Sequence, residues 1–210
     1  MLALLHTSPV HVPVFDALRD EDRPGLRLRH LVDEDLLVRA RRDGPEAVAG
    51  DVRALLDRAV ADGARAVLCT CSTLGGVAEA AGAAVPVLRV DRPMAAAAVA
   101  AGPRVVVLAA LASTLGPTVA LLEEEAGAAG RAVQVRTELV AGAWACFEAG
   151  DIEAYVGLVA AAADAVTGAD VIVLAQASMA PAQRLASTAV PVLSSPRPGL
   201  AAAAEAARLA

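Results

Sequence analysis

One phrase occurs twice in this chain: AVPVLRVDRP at 84–93 and AVPVLSSPRP at 189–198. Proline and arginine recur in register with the apolar residues, which Ala/Val-rich stretches do not readily match by chance. A second pair, AVLCTCSTLGG at 66–76 and DVIVLAQASMAP at 170–181, sets Val67 with Val173, Leu68 with Leu174, Cys71 with Ala177 and Ser72 with Ser178. The openings, LLHTSPVHVPVFDAL (4–18) and LAALASTLGPTVALL (108–122), match more faintly. Such internal similarity means one supersecondary plan used twice. The 210 residues then divide into an N-terminal α/β half over 1–102 and a C-terminal α/β half over 103–210, joined near Gly102-Pro103.

Short apolar runs alternate with longer Ala/Leu patterns of helical period. Strands are predicted at 2–6, 26–31, 66–71, 85–90, 104–110, 133–139, 170–175 and 190–194. Helices are predicted at 13–19, 45–61, 74–81, 94–101, 117–126, 141–149, 152–166, 181–186 and 199–209. Near-continuous apolar strands separated by helices read as parallel sheets covered on both faces. The expected fold class is therefore α/β: two pseudo-symmetric Rossmann-like halves, each a parallel sheet flanked by helices. Ligands bind such sheets at the carboxyl ends of the strands, and here the cleft between the halves is the expected active site.

Composition removes several function classes. The chain is 57% hydrophobic and 20% charged, so a core is easily made and disorder is excluded. Aromatics are only 2%, so Ala, Val and Leu must fill that core. A net charge of −6 and a pI near 5.1 argue against nucleic acid as a partner, and no basic cluster alternates with aromatics. The mixed run LRDEDRPGLRLRHLVDEDLLVRARRDG reads as a solvated surface. The longest uncharged stretch, 105–122, is interrupted by Gly116 and Pro117, so no membrane span is expected. The opening MLALLHTSPVH lacks the basic lead and long apolar run of a signal peptide. Three cysteines, an odd count, favour free thiols in the cytoplasm over a disulfide framework.

Cys71, Ser72 and Thr73 fall at one strand-to-helix turn. Thr7-Ser8, Ser113-Thr114 and Gln176 with Ser178 fall at others. Free N–H groups at a helix start favour an anion and lower a thiol's pKa. One activated thiol among hydroxyls suits a small carboxylate substrate, with a proton moved at the adjacent carbon. Cys71 is the candidate catalytic residue, weighed against an inert buried thiol. Cys69 reads as core, Cys146 as packing in AWACFEAG, and His11 and His30 as surface or structural. His6 is read as either a cleft residue or a satisfied core histidine, and Asp33 as surface or cleft. No second Cys/His pair stands at zinc spacing beside Cys69-x-Cys71, so no metal is expected. TLGG is no phosphate loop, because neither G-x-x-x-x-G-K-[ST] nor G-x-G-x-x-G occurs.

This pattern resembles the aspartate/glutamate racemase superfamily, which includes amino-acid and hydantoin racemases, maleate isomerase and arylmalonate decarboxylase. Those proteins are two pseudo-symmetric α/β halves that use no cofactor, with one cysteine at a strand–helix turn of each half. Cys71-Ser72-Thr73 matches the first, usually Cys-Asn-Thr. The second, usually Gly-Cys-Thr, here reads Gln176-Ala177-Ser178. The resemblance implies racemisation or isomerisation of a small acid without cofactor. Cys71 would be the thiol, and Ser8, Ser72, Thr73, Thr114 and Ser178 the substrate contacts. It leaves a homodimer open. Ala177 has no proton to exchange, so symmetric two-thiol racemisation is not available unless His6 or Asp33 supplies the second group. The alternatives are decarboxylation with protonation of one face, and a protein that binds a small acid without turnover.

Overall fold

A computed structural model describes all residues, Met1–Ala210. The first repeat runs β1 (Leu2–His6), α1 (His11–Asp22), β2 (Leu28–Val32), α2 (Glu34–Asp43), α3 (Ala49–Ala61), β3 (Ala66–Cys69), α4 (Ser72–Ala80), β4 (Val87–Arg89) and α5 (Arg92–Ala101). The second runs β5 (Arg104–Ala109), α6 (Ala112–Ala128), β6 (Gln134–Leu139), α7 (Ala143–Glu148), α8 (Ile152–Ala165), β7 (Val171–Leu174), α9 (Ala182–Leu185), β8 (Val192–Ser194) and α10 (Pro196–Leu209). Every predicted strand is present.

Two four-stranded sheets result, in the orders β2-β1-β3-β4 and β6-β5-β7-β8, all neighbours parallel. The same plan is therefore used twice. The register agrees with the sequence repeat: Leu4 pairs with Leu68 in one sheet, and the equivalent Leu108 pairs with Leu174 in the other.

The alternation of side chains across each strand divides each core in two. In the first sheet Ala3, Leu5, Val67 and Cys69 pack beneath α2, α3 and α4, while Leu2, Leu4, Ala66 and Leu68 pack with Phe15 of α1 and Leu200 and Ala203 of α10. In the second, Val106, Leu108, Ile172 and Leu174 meet α7 and α8, and Val105, Val107, Val171 and Val173 meet α5 and α6.

The compact units differ from the expected halves at 102/103. The first comprises Met1–Asp91 with Pro196–Ala210, and the second Arg92–Ser195. Each repeat's last helix thus belongs to the other repeat's unit: α10 covers β1 and β3, and α5 packs on β7 and α6. The chain leaves each sheet directly from its last strand, and a short Ala-rich helix can cover either sheet.

Two local expectations change. The mixed-charge run contains α2, capped by Asp33, whose carboxylate accepts from Leu36 N at 3.4 Å. Acidic Glu34 and Asp35 open the helix, and Arg41 and Arg42 close it before Gly44 at φ 91°, as the helix dipole favours. Helix α6 starts at Ala112 and continues through Pro117, which lacks the N–H an interior residue would give to the preceding turn.

Candidate functional site

In both sheets the chain order reverses between the two central strands, the switch point where open α/β sheets bind ligands. In the first unit that point lies between the ends of β1 and β3. β1 ends in His6 and continues into Thr7 and Ser8, and β3 is followed by Thr70 and Cys71. Cys71 is the N-cap of α4, in extended conformation (φ −107°, ψ 115°), with Ser72 and Thr73 in the first turn.

Cys71 is 9% exposed. Burial pushes its thiol pKa up, while the Thr7 hydroxyl and the amides of Leu74 and Thr73 act in the opposite sense by favouring the thiolate. The net direction is upward, contrary to the expected depression. A helix N-terminus cannot by itself outweigh loss of solvent around the sulfur. The Cys71 group therefore rests as a neutral thiol at neutral pH. Cys69 is fully buried, and its thiol is pushed up by burial first and by the neighbouring Cys71 second. It belongs to the core, as read. Cys146, in α7, is half-buried and packs against the second core.

His6 is fully buried, and both ring nitrogens are engaged: Nδ1 with Thr70 Oγ1 at 2.7 Å, and Nε2 with His30 Nδ1 at 2.8 Å. Thr70 gives its hydroxyl hydrogen to Leu5 O at 3.1 Å, so His6 Nδ1 is the donor to Thr70 and His6 Nε2 the acceptor from His30. His30 Nε2 in turn lies 3.4 Å from Asp16 Oδ1. Burial, then the nearby His30 and His11, hold the His6 pKa down at about 3. This histidine ties the ends of β1 and β3 together and has no nitrogen left for a ligand. Asp33 is likewise occupied as the cap of α2, while its amide bonds His6 O at 3.0 Å.

Below Cys71, the Arg89 guanidinium is forked onto Asp91, at 2.7 Å from Nε to Oδ1 and 2.9 Å from the second nitrogen to Oδ2. It also donates to Ser72 O at 3.4 Å. Both members of the ion pair are buried, so the guanidinium is held at the end of β4 and its bond to Ser72 O ties the start of α4 to that strand. A Cβ on Gly75 would stand 2.8 Å from Arg89 Nε, which is why the helix needs a glycine facing the guanidinium.

The second unit repeats the arrangement with different side chains. Thr114 is buried in the first turn of α6, its carbonyl accepting from Thr118 Oγ1 at 2.9 Å. Ala177 occupies the position equivalent to Cys71. Gln176, equivalent to Thr70, sends Oε1 to Ala110 N (2.7 Å) and Leu111 N (3.2 Å), tying β7 to β5 as Thr70 ties β3 to β1. Ser178 Oγ is 2.8 Å from the Tyr155 hydroxyl. Sequence reading placed Gln176 at this strand end without a role and did not single out Tyr155, Arg89 or Asp91. The arginine that recurs in phase in the two phrases is Arg92 with Arg197, whereas Arg89 and Asp91 stand opposite Ser194 and Pro196, so the repeat carried no signal for them. Ser8 is half-buried where the chain enters α1, its carbonyl accepting from His11 N. No group of three or more His, Cys, Asp or Glu side chains is arranged to hold a metal ion, and no helix is long and apolar enough to cross a membrane.

The family model described as Asp/Glu/hydantoin racemase matches residues 13–206. No curated protein sequence matches the chain. Among solved structures, the aspartate racemase of Picrophilus torridus superposes with a TM-score of 0.76 at 14% identity, covering 99% of this chain and 94% of that one. The allantoin racemase of Klebsiella pneumoniae gives 0.67 at 18% identity, covering 99% and 87%. A glycine-to-cysteine variant of arylmalonate decarboxylase in a sulfate-associated form gives 0.65 at 21% identity, covering 99% and 93%.

Proposed function

We propose, since the chain belongs to the Asp/Glu/hydantoin racemase family, that it is a cofactor-independent enzyme moving a proton at the carbon next to a carboxylate of a small acid. Cys71 is the proton carrier. The observation that carries this reading is the setting of its sulfur. It lies at the switch point of the first sheet, at the start of α4, with the Thr7 hydroxyl and two backbone amides acting on it. Those three donors stabilise the thiolate left when Cys71 gives its proton to the substrate carbon, and the thiolate, made more basic by burial, is restored by taking a proton from the substrate or from water. Ser8, Ser72 and Thr73 are the hydroxyls proposed for the carboxylate in the first unit, and Thr114 and Ser178 are their counterparts at the equivalent turns of the second. An α-proton is acidic only when the charge left behind is held by such donors.

Racemisation or isomerisation is the leading reaction class for this family. It needs a second group on the opposite face of the reacting carbon, and neither His6 nor Asp33 is free to be that group. One observation favours decarboxylation as a second reading. The turn equivalent to Cys71 carries Ala177, and the single thiol rests protonated. Loss of CO2 leaves the bonding electrons on carbon, as an enediolate. One protonated thiol then completes the reaction by delivering its hydrogen to one face.

Incubation in D2O with aspartate, glutamate, allantoin and an arylmalonate, followed by proton NMR and optical rotation, separates these outcomes. Deuterium at the α-carbon with loss of optical activity supports racemisation. CO2 with a single-handed product supports decarboxylation. Thermal stabilisation by one of these compounds without exchange or CO2 overturns the enzyme reading in favour of a binding protein. Cys71→Ser is expected to abolish turnover, and Cys69→Ala to leave it. Full activity of Cys71→Ser would remove the thiol from the mechanism.

A further inference from the structure

Helix α4 is intrinsically weak, yet it stands where the proposed chemistry needs a fixed one. It has nine residues, including the adjacent Gly75 and Gly76, with no side-chain cap at its start and no acidic residue in its first turn. Glycine disfavours helix, and so short a segment does not hold helical form in water by itself. The amides of Thr73 and Leu74 that act on the Cys71 sulfur belong to its first turn. Something outside the helix must hold them there.

Arg89 grips the helix along its length. Its guanidinium donates to Ser72 O at 3.4 Å, and its backbone N–H donates to Glu79 Oε1 at 3.3 Å. Between them its side chain fills the space that a Cβ on Gly75 would take, 2.8 Å from Nε and 2.9 Å from its own Cβ. Positions 72, 75 and 79 share one helical face. Asp91, fully buried, in turn fixes the guanidinium through both of its oxygens. The second repeat is an internal control. Its equivalent turn has Ala177 for Cys71, Ser194 and Pro196 for Arg89 and Asp91, and Pro181 for Gly75. There the chain makes only a 3-10 turn, Ala177–Met179, and the four-residue α9, while its sheet keeps all four strands. The ion pair, the glycine and the regular helix therefore go with the thiol and not with the fold. A buried ion pair adds little net stability over apolar packing, so its use here points to placement.

We propose that Arg89, oriented by Asp91, is the positioning residue of the Cys71 turn, holding the first turn of α4 so that the Thr73 and Leu74 amides reach the sulfur. Arginine suits this task because its planar fork can occupy a carboxylate and still present a hydrogen to a carbonyl. Arg89 acts on the thiol through α4 and not by contact. The proposal rests on the reading of Cys71 as the proton carrier and adds to it the residue that keeps its donors in place.

The test reads the pH midpoint of Cys71 alkylation by iodoacetamide, which needs no substrate. The parent is the full chain carrying Cys69→Ala and Cys146→Ala, so that Cys71 is the one thiol. Arg89→Leu/Asp91→Leu removes the ion pair without leaving a buried charge. Its two effects have opposite signs: loss of the α4 amides from the sulfur raises the midpoint, whereas loss of the Asp91 charge alone lowers it. The midpoint is expected to rise, with alkylation below it several-fold slower than in the parent. Arg89→Lys keeps a charge facing Asp91, but its single nitrogen cannot also hold Ser72 O, and the same rise is expected. A lowered midpoint in the double variant means that Asp91 acts by charge alone, and an unmoved one means a merely structural pair. Either overturns the positioning role, as does a parental midpoint in Arg89→Lys, which decides the matter if the double variant does not fold. In turnover both variants are expected to lose about tenfold or more in kcat with KM little changed. If Cys71→Ser keeps turnover while the midpoints rise as expected, the thiol mechanism fails and the positioning of the sulfur stands.

Discussion

Arg89 and Asp91 form the least replaceable contact near the proposed thiol. Truncating one partner of a buried pair leaves the other charge uncompensated, at a cost of about 3–5 kcal/mol. Arg89→Leu is expected to lower stability by about that much in urea titrations, and the Arg89→Leu/Asp91→Leu double variant by less than the sum. At Cys71, where the donors from Thr7, Thr73 and Leu74 oppose burial, alkylation by iodoacetamide is expected to be slow at pH 7. The rate should rise only above the ordinary thiol range near 8.5, and Thr7→Val is expected to push the transition higher still. A rate already maximal at pH 7 would contradict this. The position of Cys71 was legible in the sequence because a strand-to-helix junction needs only hydrophobic period and a break. The direction of its pKa was not, because the dipole can be read from adjacency, whereas burial and the opposing Thr7 hydroxyl depend on segments that are distant in sequence. The same holds for His6: its residue type invited a catalytic reading, and its saturation by Thr70 and His30 appears only in three dimensions.

Strand ends and helix caps hold the elements in place. The tie from β1 to β3 runs through a buried neutral His6, with His11 beside it held down at about 4 by burial. The unfolded chain takes up protons on both as pH falls below 6.5, while the folded chain does not. Their contribution is therefore whole above that pH. It drains away in acid by about 1.4 kcal/mol per pH unit for each histidine, until their folded values are approached. Thermal midpoints measured from pH 7.5 to 4.5 are expected to fall accordingly, and His6→Asn to flatten the slope by one proton. Asp33→Ala is expected to cost about 1 kcal/mol through the lost cap of α2, with turnover unaffected. Helix α2 shows how a legible element can be passed over. Its cap, acidic first turn, basic last turn and closing glycine were all present in the sequence, but its low apolar content made the stretch read as mere surface. The strands, by contrast, were legible throughout, because burial on both faces leaves β-rich apolar runs that helices here do not imitate.

For the whole molecule, the repeated phrases established that there are two equivalent sheets, but not which helix covers which. Similarity between copies says what corresponds, and Ala-rich surfaces such as those of α5 and α10 carry little information about their seat. The seat itself is specific. A Cβ on Gly199 would stand 2.4 Å from Val90 O, so Gly199→Ala is expected to lower stability by about 1–3 kcal/mol, as overpacking does, read from denaturant midpoints. A fragment of residues 1–102 lacks α10 and leaves Leu2, Leu4 and Leu68 without their cover. It is expected to show no cooperative unfolding, whereas residues 92–195, continuous in sequence, are expected to show it. On the ribosome this imposes an order of events: the nascent chain must hold its earliest sheet unfinished while everything between Arg92 and Ser195 is translated, and only the closing helix releases it. A chaperone that shields bare β-surface is accordingly expected to bind the β1–β4 sheet and to leave it only once α10 has been made.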